Sequence, residues 1–302
     1  MRPFPDLPVL PTTVVGSYPV VPGKGISRFL DPFRHSVRIA VEDQITAGID
    51  LISDGQVRGD MVRAFTSRLP GIQGQEVTGK ILPASGAITL RDTRYALSRH
   101  RWVKGILTGP TTLSHALHLS TRMYRDRNDV ALDLAKALKA EASFLEQAGV
   151  CMIQVDEPIL STGAADMEAA RNALEVVISS LSVPVSLHVC GDLSGVIDFL
   201  LAIPVDVLDI ECARSPENLD LLDRRDLSGR RIGLGCIDST SMDVEPIEVV
   251  RDRIHKGIDL LGPDTLLIDP DCGLRMLSRE SASMKLSRMS AATREVRKEL
   301  LG

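Results

Sequence analysis

Apolar residues in this chain fall into short β-branched runs separated by stretches in which they recur every three or four positions. The runs are "TTVVGSY" (12–18), "IDLISDG" (49–55), "WVKGILTGP" (102–110), "CMIQVDEP" (151–158), "VSLHVCGD" (185–192), "VDVLDIEC" (205–212), "RIGLGCID" (231–238) and "DTLLIDPDCG" (264–273). Runs apolar on both faces predict buried strands. Segments between them, such as "DPFRHSVRIAVEDQITAG", "DVALDLAKALKAEASFLEQAG" and "EPIEVVRDRIHKGIDLLG", predict amphipathic helices that close on Gly. Eight strands alternating with helices predict an α/β fold of the TIM (β/α)8 barrel type. An open doubly wound sheet would show a Gly-rich phosphate turn after its first strand, and "GSYPVVPGKG" has neither that spacing nor a P-loop Lys. With no linker or close repeat, residues 1–302 read as one domain, and turn signals with alternation predict a β-hairpin excursion at 64–101.

Composition narrows the function classes. A hydrophobic fraction of 44% without any run long enough to span a bilayer predicts a protein free of membrane segments. The proline-rich opening "MRPFPDLPVLPTT" is unlike a signal peptide, so a cytoplasmic location is expected. A net charge of −5 with only 3% aromatic residues argues against nucleic-acid binding. Five cysteines, an odd number all lying between Cys151 and Cys272, suit metal ligands or buried thiols better than disulfides.

In a barrel of this type the carboxyl ends of the strands build the site, and the chemistry-bearing residues collect there. Strand 5 ends in His188 and Cys190, two apart and therefore on one face. Strand 6 ends in Glu211 and Cys212, and strand 8 in Asp271 and Cys272. His188, Cys190, Glu211 and Cys272 offer one nitrogen, two sulfurs and one oxygen, a donor set that suits tetrahedral zinc. A set using Cys212, with Glu211 facing elsewhere, is equally compatible with the spacing.

The motifs "TTVVGSYP", "GILTGP", "IQVDEP", "LHVCGD", "DIECAR" and "LLIDPDCGL", in this order from Thr12 to Leu274, resemble the catalytic barrel of the cobalamin-independent methionine synthase family, in its stand-alone core form. The resemblance implies a catalytic zinc on His188, Cys190, Glu211 and Cys272 and a thiol methyltransferase that makes methionine from homocysteine. It also implies that Gly16 and Ser17 receive the substrate carboxylate and that Asp156 faces its ammonium group. Gln56 stands where family members present a Glu.

Three departures bear on the methyl donor. The second, N-terminal barrel of the longer family members has no counterpart in this sequence. Ala116 stands in place of a pterin-stacking Trp, and Thr240 in place of a His that, with the acid kept here as Asp238, protonates the folate nitrogen. Methylcobalamin or a methylated corrinoid protein, which leaves without a proton, is therefore the expected donor. The alternatives are methyltetrahydrofolate as donor or a coenzyme M-like thiol as acceptor. More distant readings are a tetrapyrrole-type decarboxylase and a non-enzymatic zinc scaffold.

Overall fold

The computed structural model describes residues 2–23 and 31–302. Six parallel strands form one continuous sheet: β3 (Lys104–Thr108), β4 (Met152–Asp156), β5 (Val185–Val189), β6 (Val207–Glu211), β7 (Arg231–Ile237) and β8 (Leu266–Pro270). Single bridges, Thr12 to Ile268, Thr13 to Leu51 and Ile52 to Val103, insert two further staves, β1 (12–13) and β2 (51–52), between β8 and β3. The ring is thereby closed, which makes the fold the TIM barrel expected from the alternation.

At β1 and β2 side chains do the work of a ladder. Thr12 donates through its backbone N–H to Asp50 Oδ2 at 2.8 Å, and the Thr13 hydroxyl donates to the Leu51 carbonyl at 2.9 Å. Gln44, from the helix Arg34–Ala47, accepts from Ser53 N–H at 2.9 Å and donates to the Ser53 carbonyl at 3.2 Å. Buried polar backbone must be paired, and a chain that turns away after two residues is paired by its neighbours' side chains. Runs 12–18 and 49–55 are thus shorter strands than their apolar pattern suggested.

The outer layer includes the helices Arg127–Ala148, Met167–Ile178, Ile247–Leu261 and Arg279–Leu301. Asp126 starts the first of these by accepting from the N–H groups of Asn128 and Asp129, and Gly149, at φ 101°, ends it. In the 64–101 region the structure places a two-residue hairpin, Ile72–Gln73 with Glu76–Val77, whose second strand pairs in parallel with His118–Leu119. The remainder is loop, the end of the short helix Arg63–Thr66 and the helix Leu90–Arg99, whose apolar spacing resembles strand alternation.

Candidate metal centre and substrate site

Ladder register carries the side chains of β4, β5 and β6 to one level of the barrel: Asp156 pairs with His188, and His188 with Asp209. Two residues on, past the end of β5, stands Cys190, and just past β8 stands Cys272. The donor atoms of His188, Cys190 and Cys272 all lie within 4.8 Å of one another. Glu211 is outside that group: its Oε1 accepts from Ser215 Oγ at 2.8 Å and its Oε2 from Gly191 N–H at 3.3 Å. Cys212 is buried and does not join the sulfurs either.

Neither ring nitrogen of His188, 2% exposed, has a hydrogen-bond partner of good geometry. Nδ1 does stand 3.2 Å from Asp209 Oδ1, at ion-pair distance but poorly aligned, which leaves Nε2 as the nitrogen free for another partner. A buried imidazole with a carboxylate at one nitrogen and two sulfurs nearby is the arrangement that a metal-ligating His adopts. The residues therefore fit a zinc ion: three donors converge, orphaned ring atoms face them, and Glu211 is on the adjoining strand end.

The electrostatics are those of a cluster taken out of water. Burial pushes the His188 imidazole down, but the Asp209 carboxylate and the Cys272 sulfur outweigh it and hold its pKa well above the ordinary value. The two thiols shift in opposite directions: contact with Cys272 lowers the Cys190 thiol, and contact with Cys190, together with burial, raises that of Cys272. Below them lies an unusually polar barrel interior. Buried Lys104 donates from Nζ to Gln154 Oε1 at 2.5 Å, and Gln154 Nε2 donates to the Val15 carbonyl and to Asp156 Oδ1, both at 2.7 Å. Burial raises Asp156 to about 6, against the lowering influence of His188 and Gln154.

The residues expected to bind substrate gather at the ends of β1 and β2, beside the β8 stave. Gly16, at φ 149°, has no room for a side chain, since a Cβ would meet Ile106 at 2.2 Å and would lie 3.3 Å from Gln56 Oε1. Ser17 packs its hydroxyl on Gly273, next to Cys272, and its carbonyl accepts from Leu274 N–H at 2.8 Å. Gln56 takes a left-handed φ of 43°, and its carbonyl accepts from Arg275 Nη1 at 3.1 Å. Asp238 follows β7, its Oδ1 accepting from Thr240 N–H at 2.8 Å and Thr240 Oγ1 at 2.7 Å. Burial opposes these bonds, but they prevail and keep its pKa below the ordinary value.

Sequence reasoning missed Asp209, Gln154, Ser215 and Asn218. Asp209 was legible in principle: it stands two residues before Glu211 on one strand and so shares its face. Asn218 gave no such signal, because it acts from a short helix in the loop after β6.

Residues 10–295 match the family model described as the catalytic domain of cobalamin-independent synthase. Among similar proteins, the methionine synthase of Methanothermobacter marburgensis is 43% identical, with 94% of this chain and 99% of that protein covered. The methionine synthase of Methanocaldococcus jannaschii is 38% identical over 95% and 99%. A solved B12-independent methionine synthase from Shewanella sp. W3-18-1, in complex with selenomethionine, superposes with a TM-score of 0.86 at 26% identity, covering 97% of this chain and 99% of that one. A methyltransferase from Methanosarcina mazei shares the fold, with a TM-score of 0.70 at 14% identity.

These findings correct the expectation of a methylcobalamin or corrinoid-protein donor, since both the family description and the superposed enzyme are cobalamin-independent. That expectation argued from side chains missing at Ala116 and Thr240. A missing acid at one position does not remove acid chemistry when a neighbouring carboxyl or water can supply it. By its matched length and its relatives, the chain belongs to the cobalamin-independent synthase catalytic-domain family.

Proposed function

We propose that this chain, acting as one catalytic barrel over residues 1–302 in the stand-alone core form, transfers a methyl group to the thiol of homocysteine and so forms methionine. The observation that carries this reading is the convergence of His188, Cys190 and Cys272 within 4.8 Å at the carboxyl end of a barrel of this family. Those three residues would hold a zinc ion, with Glu211 as the fourth donor. Bound there, zinc supplies a Lewis acid that keeps an incoming thiol deprotonated and hence nucleophilic.

The protein's own residues bind and orient the acceptor. Asp156 receives its ammonium group, and Gln154 fixes the carboxylate in place through the 2.7 Å bond to Oδ1. Ser17 and the backbone at Gly16 receive the substrate carboxylate, beside Cys272. Ser215 offers Glu211 a hydrogen bond at 2.8 Å, a resting place for that carboxylate when the substrate sulfur arrives. Asp209 holds the His188 ring from the Nδ1 side.

With the corrinoid set aside, the donor is methyltetrahydrofolate or a close N-methyl relative. Its leaving nitrogen needs a proton that Thr240 cannot supply. Asp238, kept ionised by Thr240, is placed to orient a water that protonates the departing nitrogen, the proton being replaced from solvent. Purified, zinc-loaded protein given homocysteine and methyltetrahydrofolate should form methionine, measured by mass spectrometry. Turnover of coenzyme M but not homocysteine would overturn the acceptor assignment, and absence of bound zinc in active protein would overturn the site.

A further inference from the structure

The two sulfur donors stand just past the ends of their strands, and the carboxylate donor sits at the last pair of its own. The β5–β6 ladder ends at Val189 and Ile210, and the β7–β8 ladder ends at Ile237 and Pro270. Sheet pairing therefore leaves Cys190 and Cys272 beyond the ladders and holds Glu211 on its β7 side alone, through the pair with Gly235, so other contacts must complete the support. Two buried side chains outside the donor set do so. Asn218, fully buried, donates from Nδ2 to the carbonyls of Gly191 and Glu211, both at 2.8 Å, and accepts from Leu193 N–H through Oδ1 at 3.0 Å. It ties the residue after Cys190 to Glu211 itself.

Asp271, 1% exposed and adjacent to Cys272, accepts from Cys212 N–H at 2.9 Å, Ala213 N–H at 2.8 Å and Arg214 N–H at 2.9 Å. Since β7 lies between β8 and β6, this carboxylate must reach across a whole strand. Gly235 of β7 makes room for it: a Cβ there would come 2.6 Å from Asp271 Oδ1 and 2.8 Å from the Ile210 carbonyl. The second glycine of "GLGCID" is thus explained by the bond that passes over it.

We infer that Asn218 and Asp271 are positioning residues of the metal centre, a side-chain brace that fixes the spacing of Cys190, Glu211 and Cys272 and so sets how tightly and in what geometry a zinc ion is held. The inference rests on the zinc site proposed above. Directed hydrogen bonds to buried backbone suit such a role, because a displaced strand end would leave carbonyl and N–H groups unpaired.

The test uses the full chain. Zinc release to a chromogenic chelator and the visible spectrum of the Co(II)-substituted protein are compared for wild type, Asn218→Asp, Asp271→Asn and Gly235→Ala. Glu141→Gln serves as a control for general stability, since Glu141 is equally buried and accepts from Ile88 N–H and Thr89 N–H on the outer layer. Zinc release at least tenfold faster in the three brace variants, with shifted Co(II) bands, is expected, while the control loses melting temperature without change in either readout. Asn218→Ser and Asp271→Ser replace any brace variant that fails to fold. Wild-type release rates and spectra in the folded brace variants, or equal changes in the control, overturn the brace while leaving the zinc site standing. A wild-type protein that takes up no zinc at these residues overturns the site itself.

Discussion

From β3 to β8 each stave meets the next through a ladder of four or five residue pairs, whereas β1 and β2 are held by one bridge on each side. The proposed metal donors stand on the first arc, at the ends of β5, β6 and β8. Gly16, Ser17 and Gln56 stand on the second, two of them at positive φ. The difference follows from the two tasks. Metal affinity and geometry depend on donor spacing to within fractions of an ångström, so the donors sit where ladders and buried side-chain ties fix the backbone. On the proposed reading an amino-acid substrate would be met by short polar loops, whose shape is set by local turns and by packing on Gly273 and Ile106.

The contrast is most severely tested on the metal arc. Replacing both Cys190 and Cys272 by Ser should abolish zinc retention and lower methionine formation on the order of 1000-fold or more, because two of three converged donors are lost. Metal analysis and a methionine assay on the same preparations check this together. Full zinc content in the double variant would move the metal elsewhere and dissolve the division between arcs.

How much of this was legible beforehand follows the same division. On the ladder arc, continuous apolar runs ending in His, Cys, Glu and Asp announced both the strands and their site, since a strand's period of two dictates which residues share a face. His188 and Cys190 could be paired from spacing alone. That Glu211 rests on Ser215 could not, because side-chain rotamers at a strand end answer to a neighbouring loop. On the bridge arc, the runs 12–18 and 49–55 looked like full strands, yet pairing there passes to Asp50 and Gln44. Asn218 and Asp271 were unreadable as ties, because their partners lie on other strand ends. The donor assignment failed for a different reason: absent side chains are weak evidence, while the family match covers residues 10–295.

A smaller effect is expected where the two arcs meet. Asp156 belongs to the ladder arc by position and, on the proposed reading, to the substrate by chemistry. Asp156→Asn should raise the homocysteine KM roughly ten- to hundredfold, the value of a charged hydrogen bond, with zinc content unchanged. In the wild type, burial places this carboxyl at about 6. Below that pH it is protonated and cannot pair with an ammonium group, so KM should rise as pH falls through about 6, and Asp156→Asn should flatten that limb of the profile. A KM insensitive both to the substitution and to pH would remove Asp156 from the acceptor site.

The smallest effect belongs to the bridge arc alone. Gln56 is neutral where the resemblance calls for a Glu facing the ammonium group, and its backbone is held by a bond from its own N–H to Asp54 Oδ1 at 2.9 Å and by Arg275 Nη1 on its carbonyl. Gln56→Glu changes charge with little change of shape, so the turn and its left-handed φ should survive. A half-exposed opposite charge contributes up to about 1 kcal/mol, which predicts a homocysteine KM roughly threefold lower and more sensitive to salt. The same side chain lies close to Gly16, however, on the side assigned to the substrate carboxylate. A KM that rises on Gln56→Glu would show repulsion there and would exchange the two ends of the bound amino acid. Opposite shifts in KM thus distinguish two orientations of one substrate, and kcat should follow neither, because Gln56 is not among the converged donors.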